Sequence, residues 1–258
     1  MGLTGMHWLL GAICGATGGV LAGLFGIGGG IVIVPMLALV LNLNQHQAQG
    51  VTLAASLLPT GLPAVLHYRK QGVPIHWRLV GWMAIGFILG ILVGAGTANL
   101  LPQNPLRWLF AGFLLLLALR SLWPSRSSEN LQSARDPVLQ YPIKAALTGV
   151  AGGLASGLLG IGGGVILIPI LVGVFKMAQR EAQLQSLALL LPPLGLPGVL
   201  IYRAAQSGMD WGLLGCVALG FACGAYLGAR LVMRLNGPML GKAFSALLIL
   251  SAVLLLWH

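Results

Sequence analysis

The sequence predicts an all-α integral membrane protein of about eight transmembrane segments, arranged as two homologous four-segment repeats with helices broken at Gly-rich motifs. Three observations predict it. The 258-residue chain is 57% hydrophobic and only 7% charged, against about 25% charged residues in a typical soluble domain. Its mean hydropathy is +0.93, and apolar windows of about 20 residues, long enough to cross a bilayer core, recur from end to end. One stretch also occurs twice. Residues 18–37 read GGVLAGLFGIGGGIVIVPML and residues 152–171 read GGLASGLLGIGGGVILIPIL, identical at 11 of 20 positions and offset by 134 residues.

The register continues without a gap. At the same offset Gln49 meets Gln183, Thr52 meets Ser186, Pro59 and Pro63 meet Pro193 and Pro197, and Tyr68-Arg69 meets Tyr202-Arg203. Trp77 meets Trp211, and Gly86, Gly90 and Gly94 meet Gly220, Gly224 and Gly228. Such constancy is the signature of a duplicated unit. The apolar segments run roughly 6–41, 49–68, 78–99 and 105–123, then 143–175, 183–203, 211–233 and 239–257. The first repeat therefore covers 1–124 and the second 142–258, and the polar, Ser-rich stretch 125–141 is the linker. Four crossings per unit give parallel repeats with both termini on one side; counted so, eight Lys and Arg against six lean towards cytoplasmic termini. The first segment of each unit is longer than one crossing requires. If it doubles back, the repeats are inverted, and both arrangements stay open.

Taken in order, the first segments begin with small residues every fourth position, Gly11, Gly15, Gly19 and Gly23, matched by Ala145, Gly149, Gly153 and Gly157. This spacing lets helix backbones approach closely in lipid. The clusters that follow are different. Gly26, Gly28, Gly29 and Gly30, and likewise Gly160, Gly162, Gly163 and Gly164, put four glycines in five residues, each costing about 1 kcal/mol relative to Ala in a helix. A β-branched run leads to Pro35 and Pro169, whose missing N–H suits the first turn of a new helix. The spacing predicts a helix that stops near Gly26 and restarts near Pro35, and again at Gly160 and Pro169. Unwound backbone at membrane depth is tolerated where it is buried in protein or lines a watery cavity. Restarted half-helices present free N–H groups and a positive dipole end, so two converging breaks make an anion site. The plainer alternative is a kinked, tight helix crossing. A dinucleotide loop is excluded, because no strand precedes the cluster and Ile31 occupies the last glycine position.

The second segments are interrupted as well, by Pro59 and Pro63 and by Pro193 and Pro197. Gln49, Thr52, Gln183 and Ser186 near their starts can hydrogen-bond an oxyanion without burying a charge, or cap helices at the interface. Arg69 and Arg203 at their far ends serve as interface anchors or as a cationic lip that attracts anions. His46 and His67 have no counterparts in the other repeat, which argues against a symmetric proton relay.

The absences restrict function. Only Glu129, Asp136, Glu181 and Asp210 are acidic, and all are expected in loops, so a proton carrier built on a membrane-embedded carboxylate is not anticipated. No HExxH, Walker lysine loop or Ser/His/Asp arrangement occurs, and the three cysteines form neither a disulfide framework nor a zinc site. An enzyme is not expected, nor a metal or cofactor. The +10 net charge falls between apolar spans, where it orients the chain and meets anionic lipid rather than nucleic acid. The expected partners are the bilayer and a small anionic substrate, and homo-oligomerisation is left open.

These motifs resemble the TauE/SafE family, the sulfite exporter or toluene-sulfonate uptake permeases. The carrying features are GLFGIGGGIVIVPML at 23–37, GLLGIGGGVILIPIL at 157–171, Gln49-Gly50-Val51-Thr52, and His67-Tyr68-Arg69-Lys70-Gln71-Gly72. The doubled layout with a polar central loop agrees, so the resemblance covers essentially the whole chain. It implies a multi-pass permease of the bacterial inner membrane that moves sulfite, sulfonates or other small organic anions. The expectation is alternating access, one unit rocking against the other, with the anion between the Gly-rich breaks. The alternatives are a carrier for a neutral or cationic solute and a non-transporting subunit that requires a partner.

Overall fold

The computed structural model describes residues 2–25, 30–58, 62–122, 142–205, 210–231 and 237–257. Among these, every regular element is an α-helix. The first repeat gives α1 (Gly2–Phe25), α2 (Gly30–Val40), α3 (Gln45–Ala55), α4 (Leu62–Lys70), α5 (Trp77–Leu100) and α6 (Gln103–Leu122). The second gives α7 (Pro142–Leu159), α8 (Gly164–Val174), α9 (Gln179–Leu189), α10 (Leu196–Ala205), α11 (Trp211–Leu231) and α12 (Gly237–Trp257). Four of them, α1, α5, α7 and α11, contain spans of 18 residues or more that are apolar enough to cross a membrane. The linker at 125–141 lies outside the described residues.

The helix boundaries fall at the Gly clusters and at the Pro-rich interruptions of the second segments. α1 ends at Phe25 and α7 at Leu159, each at the edge of its Gly cluster. In the second cluster Gly160 and Gly162 hold φ of +67° and +65°, a left-handed backbone that glycine alone adopts freely. The second segments split into α3 with α4 and α9 with α10. Pro63 and Pro197 are the second residues of α4 and α10, where a missing N–H costs nothing. Asn44 caps α3, accepting the Gln47 amide at 2.8 Å while the Gln47 side chain returns to the Asn44 amide; this reciprocal box fixes where the chain re-enters a helix.

One expectation is corrected. The helices restart at Gly30 and Gly164, five residues before Pro35 and Pro169, so both prolines lie inside α2 and α8. The apolar, β-branched stretch between glycine and proline is buried, and in a dry environment it saves its backbone hydrogen bonds by staying helical. The prolines then remove one bond each within the half-helix instead of opening it.

The open question of the long first segment is also answered. A Cβ on Gly18 would overlap the Ile33 side chain, and one on Gly152 would meet Leu167 at 2.6 Å. In a continuous helix residues 15 apart are about 22 Å apart. The chain therefore folds back at each Gly break, and α2 and α8 run antiparallel to α1 and α7. Their 11 residues span about 16 Å, half of a bilayer core, so neither is long enough to cross it alone.

Side-chain contacts then set the direction of the rest. His76, before α5, touches Glu181 at the start of α9, and Tyr68 at the end of α4 touches Gln183. Tyr202 near the end of α10 touches Gln49 near the start of α3. The broken pairs α3–α4 and α9–α10 accordingly run side by side in opposite directions. The two repeats are inverted. Arg69 and Arg203, both exposed, lie at opposite ends of the bundle, and Arg203 stacks 5.1 Å over Trp211. We call the end holding the starts of α5 and α7 the linker face, and the end holding the starts of α1 and α11 the terminus face.

The small-residue stripes explain how the repeats join. α1 lies parallel along α11, and α5 parallel along α7. A Cβ on Gly15, Gly19, Gly220, Gly224 or Gly228 would strike the backbone of the partner helix, and so would one on Gly86, Gly90, Gly149 or Gly153. Each pair therefore packs backbone to backbone, as small-residue stripes permit in lipid, and each joins one repeat to the other. The buried apolar residues form two clusters, and each draws on both repeats. Trp8 fastens the α1–α11 pair at its start by donating to Asp210 at 3.2 Å. Large apolar residues such as Leu89, Val93, Leu116 and Leu119 face outward, where lipid takes the place of water.

Candidate functional site

Gly30, the last glycine of the first cluster, meets the second break inside the bundle. Gly30, the first residue of α2, packs so tightly on the second break that a Cβ would sit 2.5 Å from the Ile161 Cα and 2.9 Å from the Gly160 carbonyl oxygen. Gly160 in turn rests on Gln49 of α3, with no room for a side chain. Gly163 packs under the Phe87 ring, and Gly164 faces the Ser186 hydroxyl. Gly163, which precedes α8, makes no side-chain cap; its carbonyl accepts the Ile166 and Leu167 amides at 3.1 Å, and no side chain takes up the α8 amides ahead of them. Gly26, Gly28, Gly29 and Pro59 lie outside the described residues. Of the nine described members of the expected binding set, Gly30, Gly160, Gly162, Gly163, Gly164, Gln49 and Ser186 are brought to one place.

The polar side chains around this junction are fully buried and only partly satisfied. Gln49, Thr52 and Ser156 are 0%, 1% and 1% exposed, and Gln49 Nε2, Thr52 Oγ1 and Ser156 Oγ have no hydrogen-bond partner. Leaving such a group unpaired costs about 1–3 kcal/mol, which a resident ligand would recover. The Tyr202 hydroxyl sits 2.8 Å from Gln49 Oε1 and 2.7 Å from the Gly157 carbonyl, a three-centre arrangement that fixes the Gln49 amide. Gln183 differs: it is half-buried and accepts from Tyr68 at 3.0 Å, at the linker face and away from the break.

A small cavity, with room for about one water molecule, lies beside the junction, lined by Ser156 and Gly162, by Leu53 and Ser56 at the end of α3, and by Leu190 and Pro193 at the α9–α10 break. Both kinds of interruption, glycine and proline, therefore border one space. A larger solute therefore enters only when the helices part.

Sequence reasoning did not single out Ser156, Ser56 or Phe87. The signal for Ser156 was faint: its counterpart at the 134-residue offset is Ala22, a departure from the symmetry that governs its neighbours. Glu181 also differs from expectation. It lies in the first turn of α9 rather than in a loop, is 8% exposed, and pairs with His76 at 2.7 Å. Gln185 locks this pair, accepting from the His76 amide and donating to the Pro74 carbonyl, both at 3.0 Å. Among the described residues no group of His, Cys, Asp and Glu could hold a metal ion.

Comparison with known proteins supplies the wider setting. The family model described as "Sulfite exporter TauE/SafE" matches residues 11–255. A "Probable membrane transporter protein YdhB" of Bacillus subtilis is 27% identical over 93% of this chain and 96% of its own length. A "Probable membrane transporter protein" of Xylella fastidiosa is 28% identical over 92% of this chain and 90% of its own. Another, from the archaeon Methanocaldococcus jannaschii, is 26% identical over 76% and 72% of the two chains. No solved structure matches the chain.

Proposed function

The chain belongs to the sulfite exporter TauE/SafE family and is a multi-pass membrane transporter; from that premise we propose that it moves a small oxyanion, sulfite or an organosulfonate, through the junction of the two Gly breaks. In a bacterium its place is the inner membrane. The observation that carries the reading is the contact of Gly30 with Gly160 and Ile161, ringed by the unpaired donors of Gln49, Thr52 and Ser156. Neutral donors and uncapped helix amides can hold an anion at mid-depth without a buried counter-charge. The same geometry suits a cation poorly, since among the described residues no acid lines the cavity.

Alternating access fits this fold with one change to the moving parts. The repeats cannot rock as separate bodies, because the α1–α11 and α5–α7 contacts tie them backbone to backbone. Composite bodies suit the motion better: one centred on the α1–α11 pair with α2 and α12, the other on the α5–α7 pair with α9 and α10, while α3, α6 and α8 touch both apolar clusters. The junction lies between them.

Purified protein in liposomes tests the reading. Uptake of sulfite or methanesulfonate down a gradient is expected, and it should vanish in Gly163→Leu, whose side chain would press into the Phe87 ring and the Gly152 carbonyl and force the break apart. Flux of a neutral or cationic solute instead, or no flux without a second protein, would overturn it.

A further inference from the structure

We propose that Ser156 and Gly162 form an asymmetric subsite selective for monoanions, with the apolar wall of the cavity receiving the anion's organic substituent; this rests on the oxyanion reading above. Ser156 is 1% exposed, its hydroxyl has no partner, and it lines the cavity together with Gly162. A buried hydroxyl with nothing to bond is costly to keep. Gly162 lines the cavity with left-handed backbone, and no atom lies within 4 Å of the place its Cβ would take. Among the described residues no Lys, Arg or His lines the cavity. The cost of moving a charge out of water grows with its square, so a dianion is penalised about four times as heavily as a monoanion. Hydroxyls and amides alone offset the smaller penalty and not the larger. The other wall, Leu53, Leu57, Phe87 and Leu190, favours an alkyl or aryl group over a second ionised oxygen. Ala22 stands at the symmetric position, so only the second repeat's break carries this hydroxyl.

Liposome flux of methanesulfonate, sulfate and sulfite across a pH series tests it, with Ser156→Ala beside wild type. Methanesulfonate should move at least tenfold more efficiently than sulfate, and sulfite flux should rise as pH falls and the monoanion replaces the dianion. Ser156→Ala should raise KM roughly tenfold to a hundredfold, the worth of one hydrogen bond to a charged group, with thermal stability unchanged or slightly higher. Sulfate moving as well as methanesulfonate would overturn the selectivity while leaving the oxyanion reading intact. An unchanged KM, or a loss of stability in Ser156→Ala, would assign Ser156 a packing role. Wild type that moves none of the three overturns the parent reading as well.

An independent observation gives the protein's orientation. Of the described positions, Arg69, Lys70, Arg78, Arg120, Lys144, Lys176, Arg180, Arg230 and Lys242 sit at helix ends on the linker face, and only Arg107 and Arg203 at the terminus face. Nine against two is the asymmetry that holds short loops in the cytoplasm. We infer that the linker face is cytoplasmic, and that the start of α1 and the end of α12 face outward. Alkaline phosphatase fused after Trp257 of the full chain should be active outside, and a fluorescent protein fused there should stay dark. The reverse pattern would overturn the assignment.

Discussion

Tyr202 on α10 reaches Gln49 on α3 at 2.8 Å, and Tyr68 on α4 makes the mirror contact to Gln183 on α9 at 3.0 Å. Each pair joins the two repeats, yet only the first lies against the Gly junction. Tyr202→Phe leaves both the buried Gln49 and the Gly157 carbonyl short of a partner, and should lower stability by about 1–3 kcal/mol and raise KM. Tyr68→Phe, in a half-buried site, should cost less and leave KM alone. Thermal unfolding in detergent and liposome flux separate the two.

The helix pairs give a sharp contrast between glycines. Gly153→Ala would place a methyl on the Phe87 carbonyl and 2.8 Å from the Ile91 amide. Backbone cannot yield as a side chain can, so a loss of about 3 kcal/mol is expected. Gly81→Ala and Gly215→Ala meet nothing within 4 Å and should be neutral, or stabilising by up to about 1 kcal/mol. Unfolding midpoints of the three variants decide.

Gly162 tests backbone conformation separately from space. Nothing lies within 4 Å of its missing Cβ, but its φ is +65°. Gly162→Ala should cost about 1–2 kcal/mol from strain alone and slow transport while membrane insertion is normal. Equal flux at equal abundance would show that the break tolerates a different backbone path.

The His76–Glu181 pair joins the α4–α5 turn to α9. His76→Ala strands a largely buried carboxylate and should cost about 1–3 kcal/mol. Glu181→Gln keeps an acceptor for the ring and should cost less. The order of the two unfolding midpoints is the measurement; the opposite order would mean that the pair adds nothing.

Asp210 gives a pH dependence at the terminus face. Desolvation works to raise its pKa, but the Leu213 amide, the Trp8 indole and the Gly212 amide, with His7 nearby, together hold it below the ordinary carboxylate range. A lowered folded-state pKa gives stability that is present above the unfolded value, about 3.9, and lost as pH falls through the folded one. Wild type should therefore lose more stability on acidification through that range than Asp210→Asn, which keeps an acceptor but no charge.

Much of this could be read from residues alone. Two Gly clusters at a constant offset announced the duplication and the breaks, because four glycines in five residues cost a helix the same wherever they occur. The four-residue stripes announced close helix packing. Pro35 and Pro169 misled, since proline ends a helix in water more readily than in a dry interior, where each backbone bond given up is dear. Ser156 was hidden among small residues that all read as packing surface.

The sequence by itself determined the membrane class, the two repeats, the helix breaks and the family, since each rests on local composition or on periodicity at fixed spacing. Only the tertiary structure decided that the chain folds back at the glycines, that the repeats are inverted and laced through one another, and that the basic residues gather on one face. The reason is that a Gly break costs the same whichever way the chain continues; its direction is set by contacts such as Gly18 with Ile33, Gly30 with Gly160 and Gln49 with Tyr202, between residues far apart in the chain.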